Sequence, residues 1–237
     1  MSDVSLRAIR AAIRAEANAD DAGHLQRFFK TGPGEYAEGD RFLGVRVPST
    51  RRIARAYRSL SLDDTLLLLR SKWHEERLLA LLLLVDMHAS AADAGRVAIY
   101  DAYLAHTRYI DNWDLVDSSA AQIVGPHVPP DAIEPLERLA RSPNLWERRI
   151  AIIATFHWIR AGEFVPTLRI AEQLLADPHD LIHKAVGWML REVGNRSRPA
   201  EEAFLRTHCR GMPRTMLRYA IEKFPEPLRK RYLAGIL

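Results

Sequence analysis

The stretch Ser142-Pro-Asn-Leu-Trp-Glu-Arg-Arg-Ile-Ala151 decides the fold, because four other stretches of the chain align with it without gaps. They begin at Ser71, Asp111, Asp177 and Gly211, so the five starts lie 40, 31, 35 and 34 residues apart. Each stretch has a turn-forming start and then a helical pattern with a polar residue six or seven places in. Self-similarity at this period is typical of stacked helix pairs.

Helical periodicity also dominates between these stretches, and no segment alternates apolar and polar residues as a β-strand does. The connections are short, which indicates antiparallel neighbours. The sequence therefore predicts an all-α fold, a right-handed α-solenoid of HEAT-like antiparallel helix pairs, roughly six of them. We expect residues 1–237 to form a single domain, with about a dozen helices that include 112–124 and 144–161.

One segment departs from the repeats, a Gly-rich loop at about 31–47 that contains Thr31-Gly-Pro-Gly-Glu-Tyr-Ala-Glu-Gly-Asp40. The loop lacks Gly-Lys-Ser/Thr, so it is not a Walker-type phosphate loop. An ordered connector is the preferred interpretation, and a direct nucleic-acid contact is the alternative.

Composition narrows the class of protein. Hydrophobic residues make up 48% and charged residues 27%, which is typical of a soluble globular chain. The single cysteine, Cys209, excludes an intramolecular disulfide, and the histidines are scattered along the chain, so we expect no metal and no cofactor. The N-terminus has no signal-peptide pattern, and the longest apolar run, Leu78–Val85, is too short to cross a membrane. We therefore expect a monomer of the bacterial cytosol with no membrane partner.

The seventh residue of the aligned stretches singles out one position. Arg77, Arg148 and His183 occupy it in three stretches, whereas Asp117 occupies it in the second. An acid in place of a base breaks the pattern. Trp113 lies four residues before Asp117 and therefore on the same helix face.

The later stretches add cations and a second indole to the predicted concave face. In chain order they are Arg148 with Arg149, Lys184 with Trp188, and Arg214 with Arg218. Such cations suit phosphates of DNA, and indole faces suit a base or a sugar. A single carboxylate among these cations is suited to stabilise a positive charge on a bound group. An N3- or N7-alkylated purine supplies that charge when it leaves and its deoxyribose becomes an oxocarbenium ion.

Structural alternatives stay open at the same residues. In the first alternative, Asp117 pairs with Arg149 and holds two repeats together. In the other, Trp113 and Trp188 are packing residues of the core or of the contacts between repeats.

Four motifs in this order resemble the DNA alkylation repair enzyme family, of the AlkD-like type. They are Phe29 to Pro48, Asn112-Trp-Asp-Leu-Val-Asp117, Leu145-Trp-Glu-Arg-Arg-Ile-Ala151 and Lys184-Ala-Val-Gly-Trp-Met-Leu-Arg-Glu192. The match extends over nearly the whole chain. The resemblance implies a HEAT-like-repeat DNA glycosylase that removes cationic 3-alkyl and 7-alkyl purines from duplex DNA. It also implies that the lesion is not flipped into a pocket.

Residue by residue, the resemblance places the catalytic aspartate at Asp117 and the two tryptophans that flank the lesion at Trp113 and Trp188. It places the arginine that contacts the DNA backbone near the lesion at Arg149, with Arg148 as the second choice. Lys184, Arg214 and Arg218 are expected as additional backbone contacts.

The chain departs from some members of the family in two places. Asn112 precedes Trp113 where some members have a second tryptophan, and the loop at 31–47 is much shorter in some members. Two other functions remain as alternatives: a non-enzymatic, structure-selective DNA-binding protein, and a HEAT-type scaffold that binds proteins. Because Asp117 and both tryptophans are present, the sequence favours the enzyme.

Overall fold

The computed structural model describes residues 5–236, and among them the fold is all-helical. The prediction of an all-α fold is confirmed. The described part of the chain has no β-strand, only an isolated bridge between Arg41 and Trp73. None of its helices is long and apolar enough to span a membrane.

The chain divides into two compact units, one that ends at Ser119 and one that begins at Ala120. The helices of the first unit are α1 (Leu6–Arg14), α2 (Ala19–Phe28), α3 (Val47–Ala56), α4 (Leu62–Leu69), α5 (His74–Ser90), α6 (Asp93–Ala105) and α7 (Trp113–Asp117). Those of the second unit are α8 (Ala120–Ile123), α9 (Glu134–Ala140), α10 (Leu145–Ala154), α11 (Phe156–Ala161), α12 (Val165–Gln173), α13 (Asp180–Gly194), α14 (Arg198–His208), α15 (Arg214–Ala220) and α16 (Glu226–Ala234). Short 3-10 turns lie at Thr107–Tyr109, Gly125–His127 and Ile221–Lys223.

Helix α5 is the centre of the first unit. It packs against α3, α4 and α6, and it carries apolar residues all round, as a helix covered on several sides does. Leu79, Leu81, Leu83 and Leu84 are fully buried. Each contributes about 1.5–3 kcal/mol of apolar burial, so this helix fixes the positions of its neighbours.

Helix α13 has the same central place in the second unit, where it packs against α10, α14 and α15. Its contact with α15 requires a glycine: a Cβ on Gly187 would lie 2.4 Å from the backbone oxygen of Met216 and 2.5 Å from the Cβ of Tyr219. In each unit, helices pack mainly with those near them in the chain, a solenoid-like arrangement that agrees with the predicted fold class.

Two predicted helices are each divided in two. The helix expected over 112–124 breaks between α7 and α8, where the Ser119 hydroxyl donates to the carbonyl of Leu115 at 2.6 Å. The helix expected over 144–161 breaks between α10 and α11, where the Thr155 hydroxyl donates to the carbonyl of Ile152 at 2.7 Å. Buried hydroxyl groups that bond to the preceding turn compete with the helical ladder, and apolar periodicity does not show this.

Three of the five aligned stretches share a hydrogen bond that supports the predicted repeat. Arg77 and Arg148, the seventh residues of their stretches, donate to the carbonyl of the first residue, Ser71 at 3.2 Å and Ser142 at 3.0 Å. The ring Nε2 of His183 makes the same bond at 2.5 Å to the first residue of its stretch. A basic side chain at this position therefore closes the turn before its helix.

The two arginines also connect one stretch to the next. Arg77 pairs with Asp111, the first residue of the following stretch, at 3.0 Å. Arg148 pairs in the same way with Asp177 at 2.6 Å. We call this recurring contact the arginine ladder. It explains why a base recurs at the seventh position.

Candidate functional site

The second aligned stretch, which contains α7, departs from the ladder. In three of the other stretches the first residue caps the turn, as when the hydroxyl of Ser142 accepts from the backbone N–H of Asn144 at 3.0 Å. In α7 the cap comes from Asn112, whose side chain accepts from the N–H of Trp113 at 2.8 Å. The seventh residue, Asp117, has a carboxylate and cannot donate to a carbonyl as an arginine does. The stretch that carries Trp113 and Asp117 is thus built differently from its neighbours.

Asp117 ends α7 and is half-buried. Tyr103, fully buried, lies near it. Burial raises the pKa of the Tyr103 hydroxyl, and the charge of Asp117 raises it further. That hydroxyl lies 2.9 Å from the Oγ of Ser119, in the turn that ends α7. Asp117 is therefore held at the edge of a neutral, hydrogen-bonded interior.

Trp113 begins α7 and is half-buried among aromatic rings. Its ring stacks on Phe29, with centroids 5.2 Å apart and planes 23° apart. Phe28 meets it edge-on at 6.1 Å, and Phe28 itself is 57% exposed. The indole is supported on one face, and it extends an apolar patch that reaches the surface.

A buried histidine lies beneath this aromatic stack. His74, at the start of α5, is 2% exposed, and its ring stacks on Phe42 with centroids 4.5 Å apart. Its Nδ1 lies 2.8 Å from Asp40 and its Nε2 lies 2.8 Å from Asp114. Burial lowers the pKa of His74, but the two carboxylates, Asp114 foremost, outweigh it and raise the pKa to about 9. At neutral pH the ring is an imidazolium that donates to both carboxylates.

The ladder arginine Arg77 completes this cluster. It lies 2.8 Å from the second oxygen of Asp40 and 3.0 Å from Asp111. Burial raises the pKa of Asp40, but the hydrogen bond from His74 and the charge of Arg77 lower it to about 2. We call Asp40, His74, Arg77, Asp111 and Asp114 the α7 anchor, since they join the Gly-rich loop, α5 and the start of α7.

The Gly-rich loop packs on α5. Its backbone N–H groups at Leu43, Gly44 and Val45 donate to the buried carboxylate of Glu75 at 2.8, 2.8 and 3.1 Å. Gly44 has a φ of 82°, and a Cβ there would lie 1.9 Å from the backbone oxygen of Asn18. These contacts support the ordered connector that we preferred for residues 31–47.

In the second unit, the two adjacent arginines have different environments. Arg148 uses its guanidinium in the ladder, where it pairs with Asp177 and donates to Ser142. Arg149 is buried, and it donates to the backbone oxygen of Leu181 at 2.6 Å. Both guanidinium groups are thus engaged within the protein, and the preference for Arg149 over Arg148 as a phosphate contact stays a prediction.

Helix α13 presents Lys184 and Trp188 one turn apart, both half-buried. Lys184 pairs with Asp180 at 2.8 Å. The ring of Trp188 lies 6.2 Å from that of Phe156. The guanidinium of Arg160 lies 4.3 Å from the centre of the Phe156 ring, which places a cation beside the two aromatic rings.

The remaining predicted cations lie on α15 and are exposed. Arg214 donates to the backbone oxygen of Leu233 in α16 at 2.7 Å. Arg218 lies one turn later on the same helix. Asp117 and Trp113 thus lie together in the first unit, while Arg148, Arg149, Lys184, Trp188, Arg214 and Arg218 belong to the second.

The α7 anchor was not predicted from the sequence. His74 has no distinguishing neighbour in the chain, because Asp40 lies 34 residues away from it. A usable signal was present in the second stretch, where Asp111, Asp114 and Asp117 follow at intervals of three. Acidic side chains that share one face at the start of a buried helix require cations nearby.

Comparisons with family models and with solved structures point to the same family. A family model described as DNA alkylation repair enzyme matches residues 9–224. A solved structure, described as a predicted DNA alkylation repair enzyme from Enterococcus faecalis, is similar with a TM-score of 0.69 at 14% sequence identity. The similarity covers 89% of this chain and 98% of that one, and at this identity it concerns the fold. No curated protein sequence matches the chain significantly.

Proposed function

The chain belongs to the DNA alkylation repair enzyme family, and on that premise we propose that it is a DNA glycosylase acting on duplex DNA. Family membership supports a role in DNA repair. The proposed reaction is hydrolysis of the N-glycosidic bond of cationic 3-alkyl and 7-alkyl purines, which leaves an abasic site. The lesion is contacted in place, without being flipped into a pocket, and no cofactor takes part.

The observation that carries the proposal is the exchange of a base for an acid at the seventh position of one stretch. Arg77 and Arg148 close their turns from this position, and Asp117 cannot. A break in a repeated structural rule is expected where function replaces stability as the constraint. Asp117 is half-buried, so its carboxylate is partly shielded from water and acts more strongly on a nearby charge.

The chemistry needs little more than this carboxylate. An alkylated purine is already cationic and leaves without a general acid, and the sugar then gains oxocarbenium character. Asp117 stabilises that positive charge and orients the water that attacks the anomeric carbon. A pair of catalytic carboxylates, as in ordinary glycosidases, is not required.

The other predicted residues hold the DNA. Trp113 and Trp188 contact the lesion-bearing nucleotide through their ring faces. Arg149 holds a phosphate near the lesion, and Lys184 contributes a further backbone contact with Arg214 and Arg218. Arg148 stays the second choice after Arg149 for the contact near the lesion. The partner is therefore duplex DNA that carries alkylated purines, bound by a monomer.

The proposal is tested with purified protein and a duplex that contains a single 7-methylguanine. Free 7-methylguanine and an abasic site should appear under single-turnover conditions, and DNA binding should weaken steeply as salt rises. Salt-sensitive binding with no release from 7-methylguanine or 3-methyladenine duplexes would favour a non-enzymatic DNA-binding protein. Absence of DNA binding at low salt would favour a protein-binding scaffold.

A further inference from the structure

The α7 anchor lies outside the residues assigned to the reaction, yet it holds the helix that carries two of them. Two of its carboxylates, Asp111 and Asp114, stand at the start of α7, directly before and after the Asn112–Trp113 pair. From α5, His74 bonds to Asp114 and Arg77 pairs with Asp111, and both of these side chains also bond to Asp40 of the Gly-rich loop. We infer that His74 is a positioning residue of the proposed site, which sets the orientation of Trp113 and Asp117 through Asp114 and the aromatic stack. Only the effect on catalysis rests on the proposed function, and the structural role of His74 does not.

Three features of the geometry support this role. The two ring nitrogens of His74 are both bonded at 2.8 Å, one to the loop at Asp40 and the other to α7 at Asp114. The ring is also part of the stack that ends at Trp113, because its centroid lies 5.0 Å from that of Phe29. A single side chain therefore bonds to α7 at Asp114, links it to the loop at Asp40, and supports the ring on which Trp113 rests.

The length of α7 makes this support necessary. The helix has five residues, far fewer than an isolated helix needs to be stable in water. It ends where Ser119 bonds back to Leu115, so it has little helical continuation to hold it. The contacts at its first turn therefore act together with the buried Leu115 and Val116 to set where its last residue, Asp117, lies.

The state of charge of the ring agrees with the arrangement. The neighbouring carboxylates keep His74 protonated at neutral pH, so both nitrogens donate and neither carboxylate is left unmatched. The charged groups that face it are Asp40, Asp114 and, through the shared carboxylate, Arg77. A neutral imidazole has a single N–H donor and can therefore satisfy only one of the two carboxylates.

The test compares His74→Gln with Glu76→Gln, two residues further along α5. Glu76 is also fully buried and charged, but it bonds to Arg14 of α1 at 2.9 Å and faces away from the anchor. Both variants place a glutamine in the same turn of the same helix. Asp114→Asn removes the charge on the α7 side and serves in the same way if His74→Gln fails to fold.

The first readout does not depend on activity. The protein is labelled with 5-fluorotryptophan, and the Trp113 resonance among the five tryptophans is assigned with Trp113→Phe. We expect the Trp113 signal to shift or broaden in His74→Gln and to stay in place in Glu76→Gln. A Trp113 signal unchanged by His74→Gln and by Asp114→Asn would overturn the inference, whether or not the protein proves to be a glycosylase.

The second readout is the rate of 7-methylguanine release at saturating protein, together with the Kd for the duplex. We expect His74→Gln to lower the rate by about 10- to 100-fold, because a displacement of about 1 Å has that effect on a catalytic group. The Kd should change little, and Glu76→Gln should keep the wild-type rate. An unchanged rate in His74→Gln would refute the positioning role while leaving the glycosylase proposal intact. Absence of release by the wild type would refute the glycosylase and leave the fluorine measurement to decide the inference.

Discussion

The starts of α10 and α7 occupy the same place in the repeat and are held in different ways. At α10, one half-buried arginine, Arg148, closes the turn and pairs with one aspartate of the next stretch. At α7, the seventh residue is Asp117, and five charged side chains from three segments hold the first turn instead. The difference shows that other charged residues hold the start of the helix where the seventh residue cannot close the turn, and under the proposed function this leaves Asp117 available for chemistry.

The largest effect on stability is expected where the ladder is intact. Arg148→Ala leaves the buried carboxylate of Asp177 without its cation, and we expect a loss of about 3–5 kcal/mol in the free energy of unfolding. Urea unfolding followed by circular dichroism measures it. Arg206→Ala, which removes an exposed pair with Glu202, is the control and should cost less than about 1 kcal/mol. A loss below about 1 kcal/mol for Arg148→Ala would show that the ladder has no structural role.

The next largest effect concerns the α7 anchor, where we expect the free energy of unfolding to depend on pH. The pKa of His74 is raised to about 9, so its contribution to stability is complete below pH 6.5 and is lost as the pH rises through about 9. The pKa of Asp40 is lowered to about 2, so its contribution is present above pH 3.8 and is lost as the pH falls through about 2. Between pH 6.5 and 9 we expect the wild type to lose about 3 kcal/mol of unfolding free energy.

Chemical denaturation at several pH values tests this slope. His74→Gln has no proton to lose in the range and should show a flatter profile between pH 6.5 and 9. Equal slopes in the two proteins would mean that His74 is not the group that titrates, and the description of the anchor would need to change.

A smaller effect on stability is expected at Glu201, whose buried carboxylate is not part of the arginine ladder. Its side chain lies against Gly194, and its Oε1 has no hydrogen-bond partner in the described part of the chain. Burial raises the pKa of Glu201 to about 8, against the opposing charge of Arg198, so stability is lost as the pH rises from 4.5 through about 8. Glu201→Gln should raise the Tm at pH 8.5 by roughly 2–4 °C, which corresponds to about 1 kcal/mol. A fall in the Tm at that pH would contradict the assignment.

The smallest effect on stability is expected at Lys184, whose pair with Asp180 is partly exposed. Lys184→Ala should change the unfolding free energy by less than about 1 kcal/mol. The main effect of Lys184→Ala is expected on DNA binding. The plot of log binding constant against log salt should lose about one unit of slope if Lys184 contacts a phosphate. A slope equal to that of the wild type would remove Lys184 from the proposed DNA contacts.

The sequence was sufficient for the parts of the structure that recur locally. The aligned stretches predicted the all-α fold, and they identified the seventh position, where Asp117 replaces Arg77 and Arg148. Interruptions such as the one at Thr155 were not predicted, because they depend on one hydroxyl bonding to one carbonyl. The α7 anchor was also missed, since His74 gains its meaning from Asp40 and Asp114, which lie 34 and 40 residues away.

The central claim is that Asp117 acts in chemistry and not in the ladder. The most direct test is the single-turnover rate of 7-methylguanine release by Asp117→Asn, with Asp101→Asn, an exposed acid of α6, as the matched control. We expect Asp117→Asn to reduce the rate at least about 100-fold with duplex binding retained, as loss of a transition-state charge contact does, and Asp101→Asn to match the wild type. Release at the wild-type rate by a folded Asp117→Asn protein would contradict the account and return Asp117 to a structural role.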